Sequence, residues 1–330
     1  MRRTVGAGLL LLLLLFLPPW LRAEETNTGE RTDAPPQTEQ SVPDGGSDAA
    51  HTVRLWNGSA VETMTAAEYL PGVVRGEMPA AFEEEALKAQ AVAERTYLYY
   101  RMASAPKENH PDADVCTDSN CCTAWLSEAD ARTKWGDKFD RYEARVQQAV
   151  ADTDGQVVLY EGAPIMAVFH SSSAGATAAS GDVWTASLPY LVSVKSPEDA
   201  DSVPNYYSVN TFTAGEFRTI FCKAHPEAKL SGDTAGWIGD VTLTDAGRVA
   251  SARVGGVSVT GKELRSLYGL RSAAFTVEAA GDSVTFRVTG YGHGVGMSQY
   301  GANALAKEGK TWREILQWYY TGVTIGLYNG

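Results

Sequence analysis

A proline at position 79, with the apolar spacing that follows it, constrains this chain more than any other stretch. Proline biases its predecessor, Met78, away from helical angles, so no helix is expected to begin before residue 79. From there Phe82, Ala86, Leu87, Ala89, Val92, Ala93, Tyr97 and Tyr100 recur at three- and four-residue spacings, which predicts one long amphipathic helix. Glu77 then stands at its entrance. A carboxylate at a rigid corner, above a helix that can be buried, is a natural place for a general acid with a tuned pKa. The plainer alternative is a first-turn charge favoured by the helix dipole, and position alone prefers it.

The chain opens with Met1-Arg2-Arg3 and an apolar run from Val5 to Leu17. Positive residues before a leucine-rich segment, with mostly acidic ones after it, predict insertion with the remainder translocated outward. Residues 1–23 are therefore read as a membrane anchor or signal segment. The apolar core is shorter than the ~20 residues a spanning helix needs and Ala23 can end a cleavage site, yet an uncleaved single-pass anchor is the reading preferred. Residues 24–50, rich in Glu, Thr, Asp, Gly, Pro and Ser, lack the apolar surface to offset ordering and read as a disordered extracytoplasmic linker. The folded part is expected at 51–330. A net charge of −12 argues against nucleic-acid binding and against docking on anionic lipid through a basic face.

Within 51–330 helical and strand patterns mix without regular alternation, so the expected class is α+β: a single large mixed domain with several antiparallel strands. Thr52 to Trp56 reads as a strand, and Thr65-Ala66-Ala67-Glu68 as a capping box opening a helix that Pro71 should kink. Helix is expected again from Ser127 to Asp152 with a break at Gly136. Gln156–Tyr160 and Pro164–Ser171 read as a hairpin around Glu161-Gly162-Ala163. Further strands are expected near 237–244, 248–254, 274–278 and 283–288, with short helices near 215–225, 261–268, 298–308 and 312–320.

Two polar, small-residue segments interrupt apolar surroundings. One is Phe169-His170-Ser171-Ser172-Ser173-Ala174-Gly175-Ala176-Thr177; the other is Gly290-Tyr291-Gly292-His293-Gly294-Val295-Gly296-Met297-Ser298-Gln299. Glycines let backbone approach a ligand closely, and Ser298 can cap the next helix. The Walker lysine and the dinucleotide spacing are both missing. Together the segments read either as structural loops or as walls of a cleft for a neutral polyhydroxyl ligand. A third cluster, His110, Cys116, Cys121 and Cys122, lies in an insert at 108–125. Thiolates and an imidazole within thirteen residues can close a tetrahedral zinc site; disulfides or free thiols are the alternatives.

Glu68-Tyr69-Leu70, Gly76-Glu77-Met78-Pro79, Ala86 to Ala93 and Arg95-Thr96-Tyr97 resemble the opening signature of the SpoIID family. The serine segment from His170, Val183-Trp184, Pro189-Tyr190-Leu191 and the Gly292 to Ala302 run resemble its later blocks in order. The resemblance implies a lytic transglycosylase that cuts peptidoglycan between N-acetylmuramic acid and N-acetylglucosamine, on strands stripped of stem peptides. It implies Glu77 as general acid and then base, with 1,6-anhydro products and no water consumed; ordinary glycosidases need two carboxylates. It also marks Lys88 and Arg95, which seven residues apart share a helical face and can both point at the site. Arg95 then binds substrate or stabilises ionised Glu77; the alternative is an ion pair with a nearby acid. Substrate contacts are expected from His170, Ser171, Ser172, Ser173, Gly175 and Thr177, and from Tyr291, His293, Gly294, Gly296, Met297, Ser298 and Gln299. A structural zinc on the three cysteines and His110 is implied, with no cofactor for catalysis. The implied partners are a cell-wall amidase or endopeptidase and a scaffolding membrane protein of the engulfment machinery, at the outer face of the forespore or mother-cell membrane system. A non-catalytic glycan-binding enhancer of an amidase, and hydrolysis by a catalytic zinc, are the competing readings.

Overall fold

The computed structural model describes residues 47–328 of the 330. The expected anchor, and the linker as far as residue 46, lie outside the described residues. Among those described, no helix is long and apolar enough to cross a membrane. The last four residues of the expected linker depart from that reading: Ser47–Ala50 form a short helix, α1, with Asp48 only 2% exposed. The cause is Arg95, whose buried guanidinium takes Asp48 as its counter-ion.

An antiparallel hairpin, β1 (Thr52–Trp56) with β2 (Val61–Thr65), leads into α2 (Ala66–Glu77). The capping box forms as expected: the Thr65 hydroxyl accepts the Glu68 N–H, and the Glu68 carboxylate accepts the Thr65 N–H. The helix then runs through Pro71 to residue 77. Glu77 therefore closes one helix instead of opening the next. Pro79 does hold Met78 extended, at φ −115° and ψ 138°. A tight turn from the Pro79 carbonyl to the Phe82 N–H intervenes, and the long helix, α3 (Glu84–Met102), starts later than the proline alone requires.

α3 is the axis of the molecule. Its residues from Ala86 to Thr96 are buried apart from Lys88, which is half-buried only. Around it pack α2, α5 (Phe139–Ala151, after the short α4, Glu128–Trp135) and β4 (Gln156–Tyr160). The break expected at Gly136 is present, at φ +52°. β3 (Val115–Cys116), from the cysteine insert, lies parallel to β1. β4 turns through Glu161 and Gly162, both at positive φ, into β5 (Ala163–Pro164). The strand expected to continue to Ser171 does not. Only β6 (Phe169–His170) follows, and it is withdrawn to pair elsewhere. The small helix α6 (Ser180–Val183) comes next.

Residues 207–289 form a lobe with its own aromatic core, including Phe217, Phe221, Trp237, Tyr268 and Phe286. It contains β7 (Tyr207–Thr213), α7 (Ala214–Ala224), β8 (Ile238–Leu243), β9 (Val249–Val254), β10 (Val257–Thr260), α8 (Gly261–Leu267), β11 (Phe275–Ala280) and β12 (Ser283–Thr289). The strands make two antiparallel sheets, ordered β11-β12-β7 and β10-β9-β8. The chain then returns to the first core through β13 (Met297–Ser298), α9 (Gln299–Lys307), α10 (Trp312–Tyr319) and β14 (Thr324–Leu327), the last antiparallel to β4. The class is mixed α+β, as expected, with several antiparallel sheets.

Candidate active site

Glu77 is placed by two glycines on its own helix. A Cβ on Gly72 would sit 2.1 Å from Trp125 Nε1, and one on Gly76 would sit 2.6 Å from the Ala124 carbonyl oxygen. Their bare backbone lets the segment 124–126 lie flat on α2, where the Leu126 N–H donates to the Gly72 carbonyl and Trp125 Nε1–H to the Tyr69 carbonyl. In that position the Ala124 N–H donates to Glu77 Oε1 at 2.5 Å. From the other side Gln299 Nε2–H donates to the Glu77 carbonyl at 3.0 Å. The carboxyl is half-buried, and burial pushes its pKa above the ordinary carboxylate range, against the Ala124 hydrogen bond that lowers it. The end of a helix is also its negative pole, which further disfavours the ionised form.

The two small-residue segments, far apart in sequence, meet here. β13 pairs parallel with β6, so that Ser298 is opposite His170. Ser172 and Tyr291 exchange both backbone hydrogen bonds, at 3.0 and 2.9 Å. The Ala178 N–H donates to the Gly294 carbonyl at 2.7 Å. Gly296, at φ +72°, is obligatory at this seam: a Cβ would lie 2.0 Å from the Val168 carbonyl oxygen. One side of the seam opens on a cleft of about 670 Å³ that Glu77 shares with His170, Ser171, Tyr291, His293 and Gln299.

Both imidazoles are neutral. His170 is 4% exposed; burial first, then the neighbouring His293 and Arg248, hold its pKa well below the usual value. His293 is pulled down to about 4 by burial and by Arg265 and Arg248. His170 Nδ1–H donates to the Val295 carbonyl, which can only accept, so Nε2 accepts from the Ser173 hydroxyl at 2.8 Å. The Val295 N–H donates to His293 Nδ1, which places that proton on Nε2. With Tyr97 and Trp184 the cleft combines aromatic surface with a few oriented polar groups, as a sugar site requires. Among the described residues that line it, Glu77 is the only carboxylate.

The sequence model of a family described as Stage II sporulation protein, SpoIID, matches residues 57–160. Stage II sporulation protein D of Bacillus subtilis (strain 168) is 41% identical over 267 residues, spanning 81% of this chain and 76% of that protein. The chain belongs to the SpoIID family. A stage II sporulation protein D of Bacillus amyloliquefaciens is 38% identical over 269 residues, 81% of this chain and 75% of the relative. The amidase enhancer of Bacillus subtilis (strain 168) is 29% identical over 308 residues, covering 78% of this chain but 40% of the enhancer.

Not every residue marked by the SpoIID resemblance faces the cleft. Lys88 and Arg95 do share one helical face, but that face is turned away from Glu77. Lys88 Nζ lies 2.6 Å from Glu84 and 2.9 Å from Asp152. Arg95 is wholly buried, paired with Asp48 at 2.6 and 2.7 Å, and donates to the Val150 and Gln156 carbonyls. The expectation that both point toward the site is thereby corrected; each ties α3 to its surroundings. Ser172, Ser173, Thr177, Gly294, Gly296, Met297 and Ser298 are buried and do not line the cleft, and Gly175 is exposed outside it. Buried Glu198 accepts the Ser173 N–H at 2.6 Å and the Ser298 hydroxyl, clamping the two segments together. Thr177 Oγ1 accepts the Val194 N–H at 3.0 Å, and the Gly175 carbonyl accepts the Ser196 N–H.

The face of α3 that does look toward Glu77 carries Gln90, Glu94 and Tyr97, half a turn from Lys88 and Arg95. Glu94 was not singled out from sequence, though its spacing from Gln90 was readable as an i, i+4 pair. It is 2% exposed and accepts from Gln90 Nε2 at 2.9 Å. Burial, then the charge of Glu77, push its pKa well above the carboxylate range, so it stays a neutral acid behind Glu77. Arg265, on α8, is a further cleft residue for which the sequence held no local signal.

The cysteine insert supplies the remaining wall. The ligand atoms of His110, Cys116, Cys121 and Cys122 all lie within 4.8 Å of one another, a grouping that can hold a metal ion. His110 Nδ1–H donates to the Ala113 carbonyl at 3.2 Å, which leaves Nε2 facing Cys122 Sγ at 3.5 Å with its lone pair available. Three thiols and one imidazole, with all four positions filled by protein, are the donor set of a closed structural site. None of the four cysteines forms a disulfide. Asn120, Cys121, Cys122 and Thr123 line the cleft directly, so this loop joins the ligand cluster to Glu77 through Ala124.

Proposed function

We propose that this chain is a lytic transglycosylase acting on peptidoglycan glycan strands stripped of their stem peptides. The observation that carries the reading is that, among the described residues lining the cleft, Glu77 is the single carboxylate, its pKa raised by burial, and that Arg265 apart its neighbours there are neutral polar and aromatic groups. Protonated Glu77 gives its proton to the glycosidic oxygen between N-acetylmuramic acid and N-acetylglucosamine. The carboxylate formed, held by the Ala124 N–H, then takes the proton of the muramic C6 hydroxyl as that oxygen bonds to C1. The leaving sugar departs with the first proton, Glu77 recovers the second, and the product ends in a 1,6-anhydro ring. A hydrolase with inverting or retaining chemistry needs a second carboxylate at the bond, and Glu94, sealed behind Glu77, does not line the cleft.

Zinc is the metal we assign to the His110 and cysteine cluster. It would be held by His110 Nε2 and the three thiolates and would supply cross-linking of a polar loop. The names of its relatives support a role in sporulation. The same reading puts the protein on the outer side of the cell membrane through an N-terminal anchor, beside a wall amidase or endopeptidase and a membrane scaffold of the engulfment machinery. One observation favours a second reading, a glycan-binding enhancer of an amidase: the 29% identity to an amidase enhancer. Incubation of stripped strands with the wild type and with Glu77→Gln separates the two. Cleavage by the wild type alone supports the enzyme, cleavage by both excludes Glu77 as the acid, and tight binding without cleavage by either favours the enhancer.

A further inference from the structure

The lobe 207–289 brings one guanidinium, Arg265, to the cleft and a second, Arg248, to a cavity adjoining it, neither with a counter-ion among the described residues. Arg265 lines the same cleft as Glu77, and with Arg248, Lys262 and His293 it also lines a smaller adjoining cavity. Arg248 is 3% exposed; its Nη2 donates only to the Gly292 carbonyl, at 3.2 Å. Arg265 Nε donates to the Leu270 carbonyl at 3.3 Å. Among the described residues no carboxylate pairs with either. Asp182, the one acid on the wall of the smaller cavity, is exposed and exerts no resolved influence on them. Burial and then the charge of Arg265 bring Arg248 down to about 10, still a cation at neutral pH.

Such a pair is costly to keep. A buried charge without a partner is among the most destabilising features a core can hold. Yet the fold is shaped to admit it: Gly294 lies at φ +87°, and a Cβ there would come within 2.5 Å of Arg248 Nη1. In a chain of net charge −12, with acids available everywhere, two neighbouring arginines that meet none of them are kept free for an anion from outside.

We propose that Arg265, backed by Arg248, is a subsite for a carboxylate carried by the muramic acid of the bound strand. The proposal rests on the reading of the cleft as a glycan site. That carboxylate can come from two sources: the lactyl group, free only where the stem peptide has been removed, and the carboxylates of a stem peptide. A guanidinium grips either in a two-pronged, charge-assisted pair, and an amide in its place loses the charge and one acceptor. If the lactyl group is the one read, the subsite would itself confer preference for stripped strands, because peptide attachment turns that carboxylate into an amide.

The test is calorimetric binding to Glu77→Gln protein of three tetrasaccharides of alternating N-acetylglucosamine and N-acetylmuramic acid. One has free lactyl carboxylates, one has lactyl amides, and one carries stem peptides. The acid is expected to bind on the order of tenfold more tightly than the amide, with the advantage shrinking as salt rises. A second substitution, Arg265→Met, should abolish that advantage, so that acid and amide bind alike, and an unchanged circular-dichroism spectrum shows that the variant is folded. An acid that binds more tightly than both the amide and the peptide-bearing ligand assigns the site to the lactyl group; if acid and amide bind alike and the peptide-bearing ligand binds more tightly, a stem-peptide carboxylate is the source. Equal affinity for all three, or an advantage that survives Arg265→Met, overturns the subsite alone. Failure of all three ligands to bind overturns the glycan reading beneath it.

Discussion

The Ala124 N–H donates to Glu77 Oε1 at 2.5 Å, two residues beyond Cys122, so the one carboxylate among the described residues that line the cleft is held by the tail of the cysteine insert. Ligand cluster and acid are thus parts of one arrangement. The insert lies on α2 because Gly72 and Gly76 leave it room, and the hydrogen bond falls where α2 ends.

Glu77→Gln is expected to reduce turnover by about 10²–10⁴-fold, the range of a lost general acid, without unfolding the protein. In the proposed mechanism Glu77 starts the reaction protonated, and burial raises its pKa. Activity should therefore be full below that pKa and fall as pH rises through it. A pH–rate profile for the wild type should place the descending limb above the ~4.3 of an ordinary glutamate. A limb at or below that value would contradict the raised pKa.

Removal of metal should act on the acid through the loop. Chelation is expected to lower the melting temperature, raise hydrogen exchange across residues 116–126 and abolish cleavage together, because Ala124 loses its anchorage. Unchanged exchange in that segment after proven metal loss would separate the ligand cluster from Glu77.

Asp48→Ala should destabilise the protein by about 3–5 kcal/mol, since it leaves the buried Arg95 guanidinium unpaired. Chemical denaturation measures the loss. Turnover per folded molecule should be unchanged, because the ion pair does not face the cleft; a large fall in that quantity would return Arg95 to the chemistry.

Glu94→Gln tests the neutral acid behind Glu77. In the native state Glu94 keeps a proton that the unfolded chain releases above about pH 4.3, so stability falls as pH rises by up to about 1.4 kcal/mol per pH unit until the native pKa is reached. Glutamine carries no such proton. The variant should therefore gain on the wild type between pH 5 and pH 8 in thermal unfolding; parallel curves would show Glu94 ionised in the native state.

Much of this was legible from local rules. The capping box at Thr65, the break at Gly136 and the turn at Glu161-Gly162 each rest on a few adjacent residues, and each formed as expected. The His170 and His293 segments read from sequence either as structural loops or as walls of one cleft, and it is the pairing of β6 with β13 that brings them together. What sequence could not supply was rotation. Lys88 and Arg95 were placed on one face, which is right, but which way that face turns depends on Asp48 and on the end of α5, far off in the chain. The same ignorance hid Glu94, on the opposite face. Arg248 and Arg265 carry no motif at all; only the lobe 207–289, with its separate core, puts Arg265 on the cleft and Arg248 on the cavity beside it. Glu77 was assigned to the wrong helix end because Pro79 forbids helix at Met78 without saying that one has just finished.

The most direct test of the central claim is the mass spectrum of products released from stripped glycan strands. One carboxylate acting alone predicts fragments ending in 1,6-anhydro-muramic acid, lighter by one water than hydrolysis products and free of ¹⁸O when the reaction is run in labelled water. Fragments of full mass that take up the label would contradict it.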